Sequence, residues 1–225
     1  MTTPAPEPRP EPTSVGVLGG TGPQGLGLAR RLAASGLPVV LGSRDAARAA
    51  AAAEPLAAAG LPVTGADNAG AAGADVVIVA VPYDGHRELL AGLQAELAGK
   101  VVIDCVNPLG FDKRGAYALV VEAGSAALEA QQVLPDSVVV GAFHHLSAVL
   151  LSDETVTSID TDVMVVGEDR AATDLVQALA DRIPGMRGVY SGRLRNARQV
   201  EALTANLISV NRRYHAHAGV RLTDV

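Results

Sequence analysis

Apolar residues along this chain gather into short unbroken runs, and the stretches between them carry apolar positions at helical spacing. Ser14-Val-Gly-Val-Leu-Gly19 predicts a buried strand ending in glycines. Over residues 24–35, Leu26, Leu28, Ala29, Leu32 and Ala33 recur at the period of a helix. Pro38-Val-Val-Leu-Gly42 predicts a second strand, and residues 44–59 an alanine-rich helix of high intrinsic propensity. Pro62-Val-Thr-Gly65 predicts a short third strand, with a brief helix from Asp67. The strongest strand is residues 75–81, closed by Pro82; a helix over 83–98 and a strand over 101–106 follow. Later strands are expected near 137–143, 162–167 and 187–191, with a helix over 169–182 and a long one from about 196 to about 217. Strands that are apolar throughout, alternating with helices, argue for a parallel sheet covered on both faces.

Composition narrows the function classes. The 225 residues suit one sizeable domain or a domain with a small appendage. Eighteen basic against 24 acidic residues give −6, and aromatics are 3% with no Trp, so a nucleic-acid footprint is not expected. No apolar run approaches the ~20 residues that span a bilayer. Cys105 is the single cysteine, which excludes an internal disulfide and a thiolate metal cluster and fits a reducing, cytoplasmic setting. Residues 1–13, with proline at every second position from Pro4 to Pro12, predict an extended, solvated tail with neither a secretory h-region nor an amphipathic transit pattern.

The most specific motif lies between the first strand and the first helix. Gly20-Thr21-Gly22-Pro23-Gln24-Gly25 matches G-x-G-x-x-G in the strand–turn–helix context that this fingerprint requires. Gly20 allows the tight turn, Gly22 lets backbone approach a pyrophosphate, and Gly25 lets the helix pack on the strand. The helix N-terminus then offers amide donors and a positive dipole end, and Thr21 adds a hydroxyl. The expected fold is a Rossmann-type doubly wound α/β domain over 14–192, with a small helical extension over 193–225.

The end of the second strand discriminates between dinucleotides. An acidic residue there would accept from a ribose 2′-hydroxyl. This chain has Gly42-Ser43-Arg44 instead, with Arg48 four residues on and on the same helix face. Ser and Arg donate to a 2′-phosphate, so NADP is expected over NAD. Solvated arginines paired with Glu54 or Asp45 are the bland alternative.

These residues together carry a resemblance. Val15-Gly-Val-Leu-Gly-Gly-Thr-Gly22 followed by Gly42-Ser-Arg44 resembles the NADP-dependent oxidoreductases of the deazaflavin coenzyme F420. Val79-Ala-Val-Pro82, Val102-Ile-Asp-Cys-Val-Asn-Pro108, Gly141-Ala-Phe-His144 and Leu194-Arg-Asn-Ala-Arg-Gln-Val-Glu-Ala-Leu203 fall where that family has comparable segments. The resemblance covers residues 14 to about 221. It implies hydride transfer between NADP(H) and coenzyme F420, with Thr21, Gly22, Pro23 and Gln24 around the pyrophosphate and Ser43, Arg44 and Arg48 on the 2′-phosphate. It further implies Tyr83 and Asn107 at strand ends facing the ligands, Ala148 meeting the nicotinamide amide through its backbone, and His144 beside the paired rings. A cleft-covering, dimer-forming C-terminal segment is implied as well. Pro23 and His145-Leu-Ser147 depart from the family's usual residues.

The other candidates read plainly. Cys105 in a strand is a small hydrophobe, and His215-x-His217 lacks further metal ligands. Val200, Leu203, Leu207 and Val210 form a helical stripe for packing or for a dimer. Three readings stay open: hydride exchange with F420; NADP-dependent reduction of a flavin, a ferric chelate or an imino or keto acid; and a non-enzymatic NADP-binding redox sensor.

Overall fold

The computed structural model describes residues 13–225; the proline-rich tail expected over 1–13 lies, but for Thr13, outside the described residues. Its centre is an eight-stranded sheet. In chain order the strands are β1 (Val15–Leu18), β2 (Val39–Ser43), β3 (Val63–Asp67), β4 (Val76–Val79), β5 (Val101–Asp104), β8 (Val138–Gly141), β9 (Thr161–Gly167) and β10 (Met186–Tyr190), while β6 (Leu109–Asp112) and β7 (Gly115–Ala118) form a separate antiparallel hairpin. The spatial order is β3-β2-β1-β4-β5-β8-β9-β10. The first six strands run parallel; β9 pairs antiparallel with β8, and β10 lies parallel to β9. The expectation of a parallel sheet therefore holds for six strands and fails for the last two. A strand buried on both faces is apolar whichever way it runs, so its direction leaves no pattern in the sequence.

Helix ends explain where the elements stop. α1 (Pro23–Ala34) starts on Pro23 at its first turn, where the missing N–H costs nothing, and closes on Gly36 in a left-handed conformation. α2 (Ala46–Ala58) begins at Asp45, whose carboxylate accepts from Ala47 N and Arg48 N, and closes on left-handed Gly60. α3 (Asn68–Ala72) is capped by Asp67. The single helix expected over 83–98 is broken into α4 (His86–Ala91) and α5 (Gln94–Leu97), because left-handed Gly85 delays its start and Gly92 ends its first part. Two short helices escape the periodicity reading, α6 (Ala126–Val133) capped by Ser125 and α7 (Ala148–Ser152) capped by Ser147. α8 (Arg170–Asp181) and α9 (Ala197–Tyr214) complete the set.

Two apolar cores lie on opposite faces of the sheet. One joins Val15, Val17 and Ile78 to Leu28 and Leu32 of α1 and to Val176 and Leu179 of α8. The other joins Leu18, Val77 and Val102 to Leu90, Ala130 and Val200 from α4, α6 and α9. Helices on both faces leave the carboxyl ends of the parallel strands as the open edge.

Candidate active site

The loop after β1 shows why its glycines are glycines. Gly19 carries the positive φ of 72°, so the tight turn falls one residue earlier than expected. A Cβ there would stand 2.6 Å from Val81 Cγ1. Gly20 serves close packing instead, since a Cβ would meet Leu41 Cδ2 at 2.8 Å. At Gly25 it would lie 2.8 Å from Gly19 O, so the helix can approach the turn only without a side chain. Gly22 faces open space, with Gly19 O at 3.4 Å as its nearest neighbour, and stands at the N-terminus of α1. That open face is where backbone can approach an anion.

Three cavities run into one another along this edge. One of about 360 Å³ is lined by Thr21, Gly22, Ser43, Arg44, Arg48 and Asn68. The next, about 460 Å³, shares Gly22, Ala80, Val81 and Pro82 with it and continues past Gln24, Cys105, His144 and Ala148 to Thr204, Leu207 and Asn211 of α9. The third, about 890 Å³ and wider, lies beyond Pro82 and Asn107, where Tyr83 sits with Phe111 of the hairpin. Of the predicted residues all but Gly20 and Gly25, which serve packing of the turn, line this one cleft, divided between arginine-rich, roofed and outer compartments.

The electrostatics differ from end to end. Arg44 and Arg48 are exposed and pair with no acid among the described residues; the Asp45 carboxylate is engaged in capping α2, and Ser43 Oγ accepts from Asp45 N at 3.3 Å. Asn68 lines the same cavity, its Oδ1 buried without a hydrogen-bond partner. In the roofed compartment no charge survives. His144 is buried with neither ring nitrogen partnered, and burial pushes its pKa down to about 4, so it is neutral. Burial likewise raises the Cys105 thiol, whose Sγ donates to Val79 O at 3.0 Å.

Several side chains hold the walls rather than line a phosphate site. The amide of Gln24 reaches across to Phe143 O at 3.1 Å. Asn107 Nδ2 donates to His144 O at 2.7 Å, and Thr204 Oγ1 of α9 donates to the same carbonyl at 3.1 Å. Arg31, a residue absent from the sequence reading, donates from α1 to the carbonyls of Leu150, Leu151, Asp153 and Val156. It thereby ties down the C-terminal end of α7, the helix that brings Ala148 to the cavity. The chain's last residues are fastened too: buried Asp162 accepts from Arg187, Arg221 and Leu222 N, while Ala218 reaches the cavity wall.

Beneath the cleft lies a buried polar group that sequence reasoning missed. His86 Nε2 meets Asp104 Oδ2 at 2.6 Å and its Nδ1 meets Glu129 Oε1 at 3.3 Å. Burial opposes charge on His86, yet the two carboxylates outweigh it and raise its pKa. Nearby Glu201 reaches from α9 to accept from Ala126 N and Ala127 N at 3.0 and 3.1 Å, docking the roof helix on the start of α6. Its burial pushes its pKa from 4.5 up to about 7, against those two hydrogen bonds. The folded state therefore holds the proton more tightly than the unfolded one, and this contribution to stability falls as pH rises from about 4.5 to about 7. Across that window the wild type is expected to lose up to about 3 kcal/mol relative to Glu201→Gln. Urea midpoints of both proteins at several pH values measure it; a pH-independent difference would contradict the shift. The one signal in the sequence was a glutamate one position after Val200 in an apolar helix stripe.

A cleft at the carboxyl ends of the parallel strands, running from a glycine turn and an arginine pair into a roofed, uncharged chamber, is where a doubly wound fold binds its ligands. Comparison with known proteins agrees. Residues 14–108 match the family model described as NADP oxidoreductase, coenzyme F420-dependent. The F420-dependent NADP reductase of Methanothermobacter marburgensis is 39% identical over 221 residues, covering 94% of this chain and 98% of that one. Its counterpart in Methanocaldococcus jannaschii is 36% identical over the same shares. The crystal structure of a putative F420-dependent NADP reductase from Arthrobacter sp. FB24 superposes with a TM-score of 0.77 at 27% identity, over 94% of this chain and 99% of that one. The chain belongs to the family of coenzyme F420-dependent NADP oxidoreductases.

Proposed function

We propose that this protein transfers a hydride between NADP(H), held with its phosphates at the glycine loop and Arg44, and coenzyme F420 in the roofed compartment. The continuity of the 360 and 460 Å³ cavities through Gly22 and Pro82 carries the reading, because it lets one dinucleotide run from the arginine pair to the chamber under α9. When bound, the nicotinamide supplies a hydride from C4 and the deazaflavin receives it at C5, a carbon centre that needs no side-chain proton donor. The protein's part is to position and to exclude water.

Within that part each residue has a distinct task. Amides at the start of α1, with Thr21 and Gly22, take the pyrophosphate; Pro23 has no N–H to give and sets the helix start. Ser43, Arg44 and Arg48 clamp the 2′-phosphate. The Ala148 backbone meets the carboxamide, Asn107 borders the acceptor, and Tyr83 lines the outer compartment that Asn107 shares with it. Neutral His144 lies in the chamber wall beside the paired rings, its two ring nitrogens buried without a partner. Residues 14–192 act as the dinucleotide-binding domain and residues 193–225 as the cover. Half-buried Leu207 and Ile208 with exposed Val210 and Tyr214 on α9 support a homodimer through this cover. No helix among the described residues is long and apolar enough to cross a membrane, and the reading puts the enzyme in the cytoplasm.

Mixing the protein with NADPH and oxidised F420 is expected to bleach the deazaflavin's visible absorbance, while NADH, FMN or a ferric chelate in parallel cuvettes react far more slowly. NADPH binding without bleaching would overturn the F420 assignment and favour another acceptor or a redox sensor.

A further inference from the structure

Phe143 is the conformational anomaly of the site. It is fully buried and not glycine, yet its φ is 62°. A left-handed backbone costs a residue with a side chain about 1–2 kcal/mol, and persists only where the surroundings over-determine it. Here they do so from three separate elements. Gln24 of α1 holds the carbonyl of Phe143, and Asn107 after β5 and Thr204 of α9 hold the carbonyl of His144. The next imidazole is fixed as well, with His145 Nε2 meeting Asp162 O at 2.7 Å. This turn forms part of the chamber wall, and the ring nitrogens of His144 lie buried within it without a partner.

We propose that Gln24, although it occupies a variable position of the glycine loop, is through its side chain a positioning residue for the hydride acceptor, holding the strained Phe143–His144 turn from the N-terminus of the dinucleotide-binding helix. The inference rests on the F420 reading of the chamber. Gln24 stands at the second position of α1, where its backbone amide serves the phosphate end while its side-chain amide crosses to the opposite wall. One residue thus links the two halves of the cleft. A carbonyl accepts only from a donor, so the primary amide suits this position; a carboxylate would face oxygen with oxygen and an alkyl group would leave a buried carbonyl unanswered. The turn would then relax toward an unstrained conformation and carry His144 with it.

The test uses the full chain with Gln24→Leu and Gln24→Glu, read three ways. The Kd for NADPH, by fluorescence titration, is expected to stay within about twofold of wild type for Gln24→Leu, the variant that adds no charge beside the pyrophosphate. The hydride-transfer rate or the KM for oxidised F420 is expected to worsen at least tenfold. Amide hydrogen exchange at 143–146 is expected to accelerate at least tenfold while α1 keeps its protection. The exchange result needs no acceptor, so it stands even if the wild type fails to bleach F420, the outcome that would sink the functional reading alone. Unchanged exchange together with a tenfold weaker NADPH Kd would overturn the inference and return the side chain to the dinucleotide.

Discussion

Replacing Arg44 by alanine is expected to raise the Kd for NADPH about a hundredfold and to leave NADH within about threefold. Arg44 lies at the end of β2 beside a cavity that also holds Thr21, Ser43 and Arg48, and no acid among the described residues competes for it. A charge-assisted hydrogen bond contributes about 1.5–3 kcal/mol, and a guanidinium can offer two in parallel to one phosphate. Each 1.4 kcal/mol is a factor of ten in affinity. Arg48, one helical turn further on, is expected to contribute about tenfold, and the double variant to lose most of its preference between the two nucleotides. Isothermal titration of each variant with both nucleotides decides it. Equal losses for NADPH and NADH would refute a 2′-phosphate contact.

The second large effect concerns the sheet beneath that cavity. Gly16→Ala is expected to destabilise the protein by about 3 kcal/mol, lowering its melting temperature by roughly 10 °C. A Cβ on Gly16 would overlap the carbonyl oxygen of Ala71 in α3. Because the obstacle is backbone and not the tip of a flexible side chain, the whole short helix must shift. Asn68 lies on α3 and lines the nucleotide cavity, so the same substitution is expected to weaken NADPH binding. Calorimetry with and without NADPH separates the two effects. Gly36→Ala is the informative control: φ there is 89°, but nothing lies within 4 Å of the added carbon, so only backbone strain of about 1 kcal/mol is expected. Comparable losses at both positions would contradict the packing argument.

Much of the architecture was legible because burial on both faces writes itself as unbroken apolar runs. β1, β4, β5 and β8 fall within the stretches expected, β2 overruns its stretch by one residue, and the glycine loop occupies the required place between strand and helix. The losses have physical reasons. β6 and β7 are four residues each, half exposed, with Phe111 and Tyr117 facing solvent, so no period could develop. α6 and α7 announce themselves only by Ser125 and Ser147 at their caps, a signal equally at home in turns. In the site, residues that meet a ligand through motif geometry were readable: Gly22, Ser43, Arg44 and Arg48 gather on one cavity. Those that hold other residues were not. Arg31, His86 and Glu201 act on partners 18 to 125 positions away, and separation of that kind leaves no local trace.

The orientation of Cys105 has a practical consequence. Its thiol borders the reaction chamber, yet it points back into the sheet toward Val79 O and is held protonated by burial. An alkylating reagent is therefore expected to meet a reactive thiolate only when the contact between Cys105 and Val79 opens, and with a single thiol in the chain the labelling rate follows one event. The labelling rate is expected to time the local opening of the wall at Cys105, and its slowing as NADPH is added to measure how firmly the nucleotide closes that wall.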